Sequence, residues 1–165
     1  MKTKRIAFLA LSTTLALILS FVESQIPALV AIPGIKVGLP NIVMVFLLYV
    51  VGWKETITVS FIRIFIVSIL FGNIQSLTFS LAGALLSLLC MILLKKLNWF
   101  SCITVSITGG IFHNVGQIIA ACLWTNTAEI AFFYLPVLLV SGTIAGAIIG
   151  IIAGVVVKRL QKWKL

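Results

Sequence analysis

PVLLVSGTIAGAIIGIIAGVVV, residues 136–157, contains no charged side chain, and its length decides what kind of protein this is. A helix rises about 1.5 Å per residue, so an apolar run of this size covers the roughly 30 Å of a bilayer's hydrocarbon core. Working outward from it, similar runs recur: Ile6–Val22, Leu39–Trp53, Thr56–Phe71, Leu77–Leu94 and Cys102–Leu123, with Pro136–Val157 as the last. The expectation is an all-α, polytopic membrane protein of about six transmembrane helices, forming one integral membrane domain over residues 1–165. The second and third runs fall short of the roughly 20 residues needed to span. They are expected to stand with little tilt, to reach into the interfaces, or to be partly re-entrant.

Composition agrees. The chain is 62% hydrophobic and 9% charged, with a mean hydropathy of +1.28, against about 45–50% apolar and about 25% charged in soluble domains. The net charge of +9 does not indicate nucleic acid, because the basic residues sit between apolar runs rather than on one folded face. Their distribution sets the orientation instead. With a cytoplasmic N-terminus, Lys2, Lys4, Arg5, Lys54, Lys95, Lys96, Lys158, Arg159, Lys162 and Lys164 all fall inside, Lys36 faces out and Arg63 lies within a span. That asymmetry predicts N-in and C-in. Trp53, Trp99 and Trp163 then mark inner ends and Trp124 an outer end, where indole rings prefer to lie. The first run is expected to be retained as a span, since no small-x-small cleavage site follows it convincingly. Cys90, Cys102 and Cys122 stand alone in apolar runs and read as small hydrophobes, so neither a metal centre nor a cofactor is expected.

Within the opening stretch, Gly142, Gly146, Gly150 and Gly154 recur every fourth residue. Lipid offers no hydrophobic drive between helices, so a face without side chains is read as a place where two backbones meet. Weaker versions occur as Ser12, Ala16 and Ser20 in the first run and as Ser76, Ser80 and Ala84 in the fourth.

GGIFHNVGQ, residues 109–117, carries the polar groups. Gly110, His113, Asn114, Gln117 and Ala121 share one helical stripe, which must face protein or a water-filled cavity because lipid would penalise it. Arg63 lies about 10 Å up the third run and His113 about 16 Å up the fifth, both near mid-depth. Intramembrane ionisable groups are functional candidates by default. The segment ESQIPALVAIPGIKVGLPN, residues 23–41, is long for a connector and is stiffened by Pro27, Pro33 and Pro40, so an ordered outer cap is expected from it. The candidate substrate-binding residues are therefore Arg63, His113, Asn114 and Gln117, with Lys36, Asn41 and Glu23 from the outer segment. Lys36, Arg63 and His113 favour an anionic or strongly hydrogen-bonding ligand.

The combination PGIKVGLPNIV at 33–43, SLAGALLSLLCMILLKK at 80–96, GGIFHNVGQIIAA at 109–121 and YLP at 134–136 closely resembles the bacterial membrane family labelled heptaprenyl diphosphate synthase component I, also called the Gx transporter family. The resemblance covers nearly the whole chain. It departs from the family pattern at Pro40, where Ala is more usual, and near Gly83 and Ala84, where a fuller glycine pair is common. That family is in turn similar to the S components of energy-coupling factor transporters. The resemblance implies a six-helix bundle in a bacterial inner membrane with an ordered outer loop over a small-molecule pocket. It also implies that Ser12, Ala16 and Ser20, at the spacing of an S component's Ala-x-x-x-Ala face, dock a transmembrane coupling subunit.

The residues test the synthase label. Prenyl synthases hold magnesium on diphosphate with aspartate-rich motifs, because that hard cation wants carboxylate oxygens. This chain has no aspartate, and Glu23, Glu55 and Glu129 lie at separate loop edges. The expectation is a protein that is not itself an enzyme. It also lacks a G-x-x-x-x-G-K-[ST] phosphate loop, so it is no ATP-driven pump on its own. The favoured function is an S-component-like subunit binding a small-molecule substrate, anionic or strongly hydrogen-bonding, for import, with a coupling subunit and ATPases as partners. The alternative is a non-catalytic accessory to a prenyl synthase subunit, and the third is a secondary carrier using His113.

Overall fold

The computed structural model describes residues 2–25 and 38–160. Among them there are six helices and no strand: α1 (Lys2–Gln25), α2 (Asn41–Val50), α3 (Trp53–Phe71), α4 (Ile74–Leu97), α5 (Cys102–Thr125) and α6 (Glu129–Leu160). Four of these, α1, α4, α5 and α6, are long and apolar enough to cross a membrane. α3 has 19 residues but carries Lys54, Glu55 and Arg63. The chain is a multi-pass membrane protein.

The run Leu39–Trp53 behaves differently from its neighbours. Its helix has only 10 residues, about 15 Å long, half the hydrocarbon thickness. It is apolar on every side, and a helix of that kind is buried. Val43, Met44, Val45, Leu47 and Leu48 are each 3% exposed or less, making α2 the core around which the others pack. α1 and α3 cover one side of α2 through Ala16 and Val59. α4, α5 and α6 cover the other through Leu88, Met91, Val105, Ile149 and Ala153.

At the C-terminal end of a buried helix, unsatisfied carbonyls are costly. The Leu47 carbonyl accepts from the Val51 and Gly52 amides at 2.9 and 3.0 Å. Lys95, from the inner end of α4, donates its ammonium to the Leu48 carbonyl and lies 5.3 Å from the centre of the Tyr49 ring. Gly52, at φ 140°, then turns the chain into α3, a conformation that side-chain-bearing residues rarely adopt. At the other end of α2, the Glu23 carboxylate accepts from the amides of Gly38 and Leu39. α2 is thus tied to α1 at its N-terminal end and to α4 at its C-terminal end.

α5 is the middle helix of a tightly packed layer with α4 and α6. Its glycines face both ways. A Cβ at Gly116 would lie 2.5 Å from the Ala82 carbonyl oxygen of α4, and one at Gly110 would run into the Gly142 carbonyl of α6. From α6, a Cβ at Gly146 would lie 2.7 Å from Ile107 Cα, and one at Gly150 would lie 2.8 Å from Ile103 Cα. The spacing-of-four reading stops there. The nearest atom to a Cβ at Gly154 is Cys102 Cβ at 4.0 Å, an ordinary contact, because that end of α6 meets only the first residue of α5. α6 also begins earlier than Pro136. The helix continues through that proline from Glu129, which a membrane helix tolerates.

The basic residues gather at one end of the bundle. Arg5 of α1 pairs with Glu55 of α3, and Lys54 and Lys96 both lie within 6 Å of the Trp53 ring centre, at 5.5 and 5.9 Å.

Candidate functional site

Between α3, α4, α5, α6 and the start of α2 lies a cavity of about 120 Å³, with the last turns of α1 at its outer edge. It runs from Ser24, Gly72 and Ser76, at the end of the bundle away from the basic cluster, down to Ser87, Met91 and Ser106. From Ser76 to Met91 along α4 this is about 22 Å, so the space is narrow and long. Its wall is far more polar than the bundle around it.

The structure brings Arg63, His113, Asn114, Gln117, Asn41 and Glu23 to this one cavity. α5 contributes its stripe because positions 110, 113, 114 and 117 repeat with the helical period. α3 contributes Arg63 one turn from the buried Ser60 and beside the buried Ile64. Lys36 lies outside the described residues, as does the 26–37 part of the expected outer cap, residues 23–41.

The polar groups are not in equivalent states. Asn114 already bonds within the bundle: its Nδ2 donates to the Leu138 carbonyl of α6 at 2.6 Å, the same oxygen that accepts from Ser141 Oγ. The His113 ring packs over Gly83 of α4, where a Cβ would approach within 2.9 Å of it. Glu23 is engaged by the Gly38 and Leu39 amides at the start of α2. Arg63 differs from all of these. Its guanidinium makes one long bond, from Nη1 to Ser20 Oγ at 3.4 Å, and its Nε is buried with no hydrogen-bond partner among the described residues.

One expected role is corrected by the packing. Ser12, Ala16 and Ser20 are 7%, 0% and 6% exposed, and Ala16 belongs to the core with Met44, Leu47 and Val59. That face is occupied by α2 and α3 of the same chain and is not open to a coupling subunit. Small residues signal close approach of a helix, and here the helix is internal. Ser20 turns out to serve the cavity, beside Arg63.

The sequence reading also missed most of the hydroxyl wall. Ser76, Ser80 and Ser87 of α4, with Ser68 of α3 and Ser106 of α5, line the cavity. A signal was present in α4: Ser76, Ser80, Gly83 and Ser87 recur at four, three and four residues, one helical face. Ser76, Ser80 and Ala84 alone signal only packing.

Against known families, the model for heptaprenyl diphosphate synthase component I matches residues 12–156. The chain belongs to that family. The match includes part or all of each of the six helices, from residue 12 within α1 to residue 156, about one turn before the end of α6. No curated protein and no solved structure gives a significant match.

Proposed function

We propose that this member of the family is a membrane-embedded substrate-binding subunit of a small-molecule importer, S-component-like in role. The observation that carries the reading is the polar cavity itself. An apolar bundle gains nothing from concentrating an arginine, an imidazole, three side-chain amides and a line of hydroxyls around one space unless that space holds something polar. The cavity reaches the end of the bundle opposite the basic cluster, which is the outer side when lysine and arginine face the cytoplasm. On this reading the chain binds and does not catalyse, and transport energy comes from separate coupling and ATPase subunits. Those subunits contact a surface other than the Ser12–Ala16–Ser20 face.

The family description supports a second reading, a non-catalytic membrane partner of a prenyl synthase subunit. One experiment separates the two. The tagged chain is purified from its native membranes, and the proteins and small molecules that accompany it are identified by mass spectrometry. Coupling ATPases together with a bound small molecule are the expected result. A stoichiometric soluble prenyl synthase with no small molecule released on denaturation would overturn the importer reading.

A further inference from the structure

The cavity's charges say more about its ligand than its size does, provided the cavity is a ligand site as proposed above. A guanidinium has five N–H donors in a planar fork, and inside a bundle each is costly to leave unmatched. Among the described residues Arg63 uses one of them, weakly, on Ser20 Oγ at 3.4 Å. Its Nε is buried and unpartnered among the described residues. The other charged group in the wall does not neutralise it at contact distance. Glu23 turns its Oε1 to the Gly38 and Leu39 amides, where the start of α2 also favours a negative charge. Among the described residues the ion pair is instead Arg5 with Glu55, at the far end of the bundle.

Among the described residues no carboxylate therefore meets this cation at contact distance, and a planar fork matches a carboxylate in two parallel hydrogen bonds. The rest of the wall mixes apolar side chains such as Val67 and Phe71 with hydrogen-bonding ones, among them the Ser68, Ser80, Ser87 and Ser106 hydroxyls, the Gln117 amide and the His113 imidazole. The hydrogen-bonding members offer partners to hydroxyl or amide groups on a ligand. A diphosphate fits poorly. Its several negative charges would meet a single arginine with Glu23 in the same wall, and the described residues hold no group of three side chains able to bind a bridging metal ion. We propose that the cavity binds a small, singly charged carboxylate whose remaining groups are neutral hydrogen-bonding ones, with Arg63 gripping the carboxylate.

The test uses the full wild-type chain in lipid nanodiscs and measures thermal stabilisation by millimolar glycerate, threonate and gluconate. Each acid is compared with its uncharged amide, and isopentenyl diphosphate is included. The expected result is that at least one acid stabilises, with an apparent affinity about tenfold or more above that of its amide and of the diphosphate. Arg63→Gln should remove that preference, and Arg63→Lys should restore only part of it, because an ammonium lacks the fork. Should Arg63→Gln fail to fold, the wild-type comparison of acid with amide still decides. Equal stabilisation by acid and amide, preference for the diphosphate, or no response to any acid would overturn the proposal. The first two outcomes leave the cavity as a ligand site and remove only the carboxylate. The third, combined with no small molecule released from protein purified from native membranes, removes the ligand site as well.

Discussion

Replacing Gly146 by alanine adds a single methyl group, yet it places that group 2.7 Å from Ile107 Cα and 2.8 Å from the Ser106 carbonyl oxygen. Both neighbours are helix backbone, so neither can rotate away. Reaching an ordinary carbon contact of about 3.5 Å requires α5 and α6 to separate by about 0.8 Å around that point. A gap of that size forfeits roughly a quarter to a half of the dispersion energy of the contacts flanking it, and overpacking of this kind costs about 1–3 kcal/mol. Gly154→Ala provides the internal control. Its new methyl would meet only Cys102 Cβ, at 4.0 Å, and alanine is intrinsically the better helix residue by up to about 1 kcal/mol. Stability in dodecylmaltoside, read by tryptophan fluorescence during denaturation with sodium dodecyl sulfate, should fall by about 2 kcal/mol for Gly146→Ala. It should hold or rise for Gly154→Ala. Because the four-residue repeat treats the two positions alike, equal effects of the two variants would refute the packing argument.

Three further outcomes follow from the same geometry. Asn114→Ala removes the bond to the Leu138 carbonyl and should lower detergent stability by about 0.6–1.7 kcal/mol; unchanged stability would mean that this bond is not formed in the membrane. Lys95→Met keeps the side-chain length but takes the ammonium from the Leu48 carbonyl. It should destabilise the bundle by about 1–3 kcal/mol, the cost of a buried unmatched acceptor, as measured by the same denaturation. For topology, a single cysteine introduced at position 36 should react with an impermeant maleimide in intact cells, and one at position 96 only after permeabilisation, since the lysine and arginine asymmetry sets the cytoplasmic face; the reverse pattern would invert the bundle.

The membrane class, the helical content and the polar stripe of α5 were readable from the chain, because lipid imposes its rules locally. A run of apolar residues without charge has to be a helix in a bilayer, and polar residues at helical spacing have to turn away from the lipid. What such rules leave open is the identity of the neighbour. Ser12, Ala16 and Ser20 announce a close contact whether it is with α2 of the same chain or with another protein, and only the assembled bundle shows that α2 is there. Gly154 carries the same signal as Gly146, but only the first residue of α5 lies opposite it. The run Leu39–Trp53 reads as a span by hydropathy. Its shortness and central burial depend on Gly52 turning the chain and on Lys95 and Glu23 reaching its two ends from α4 and α1. Arg63 was visible as an anomaly from the start. That it stands beside a hydroxyl-lined cavity with its Nε unpartnered among the described residues, while Glu23 is held by backbone amides, is set by side chains from six helices converging, and no local pattern encodes that convergence.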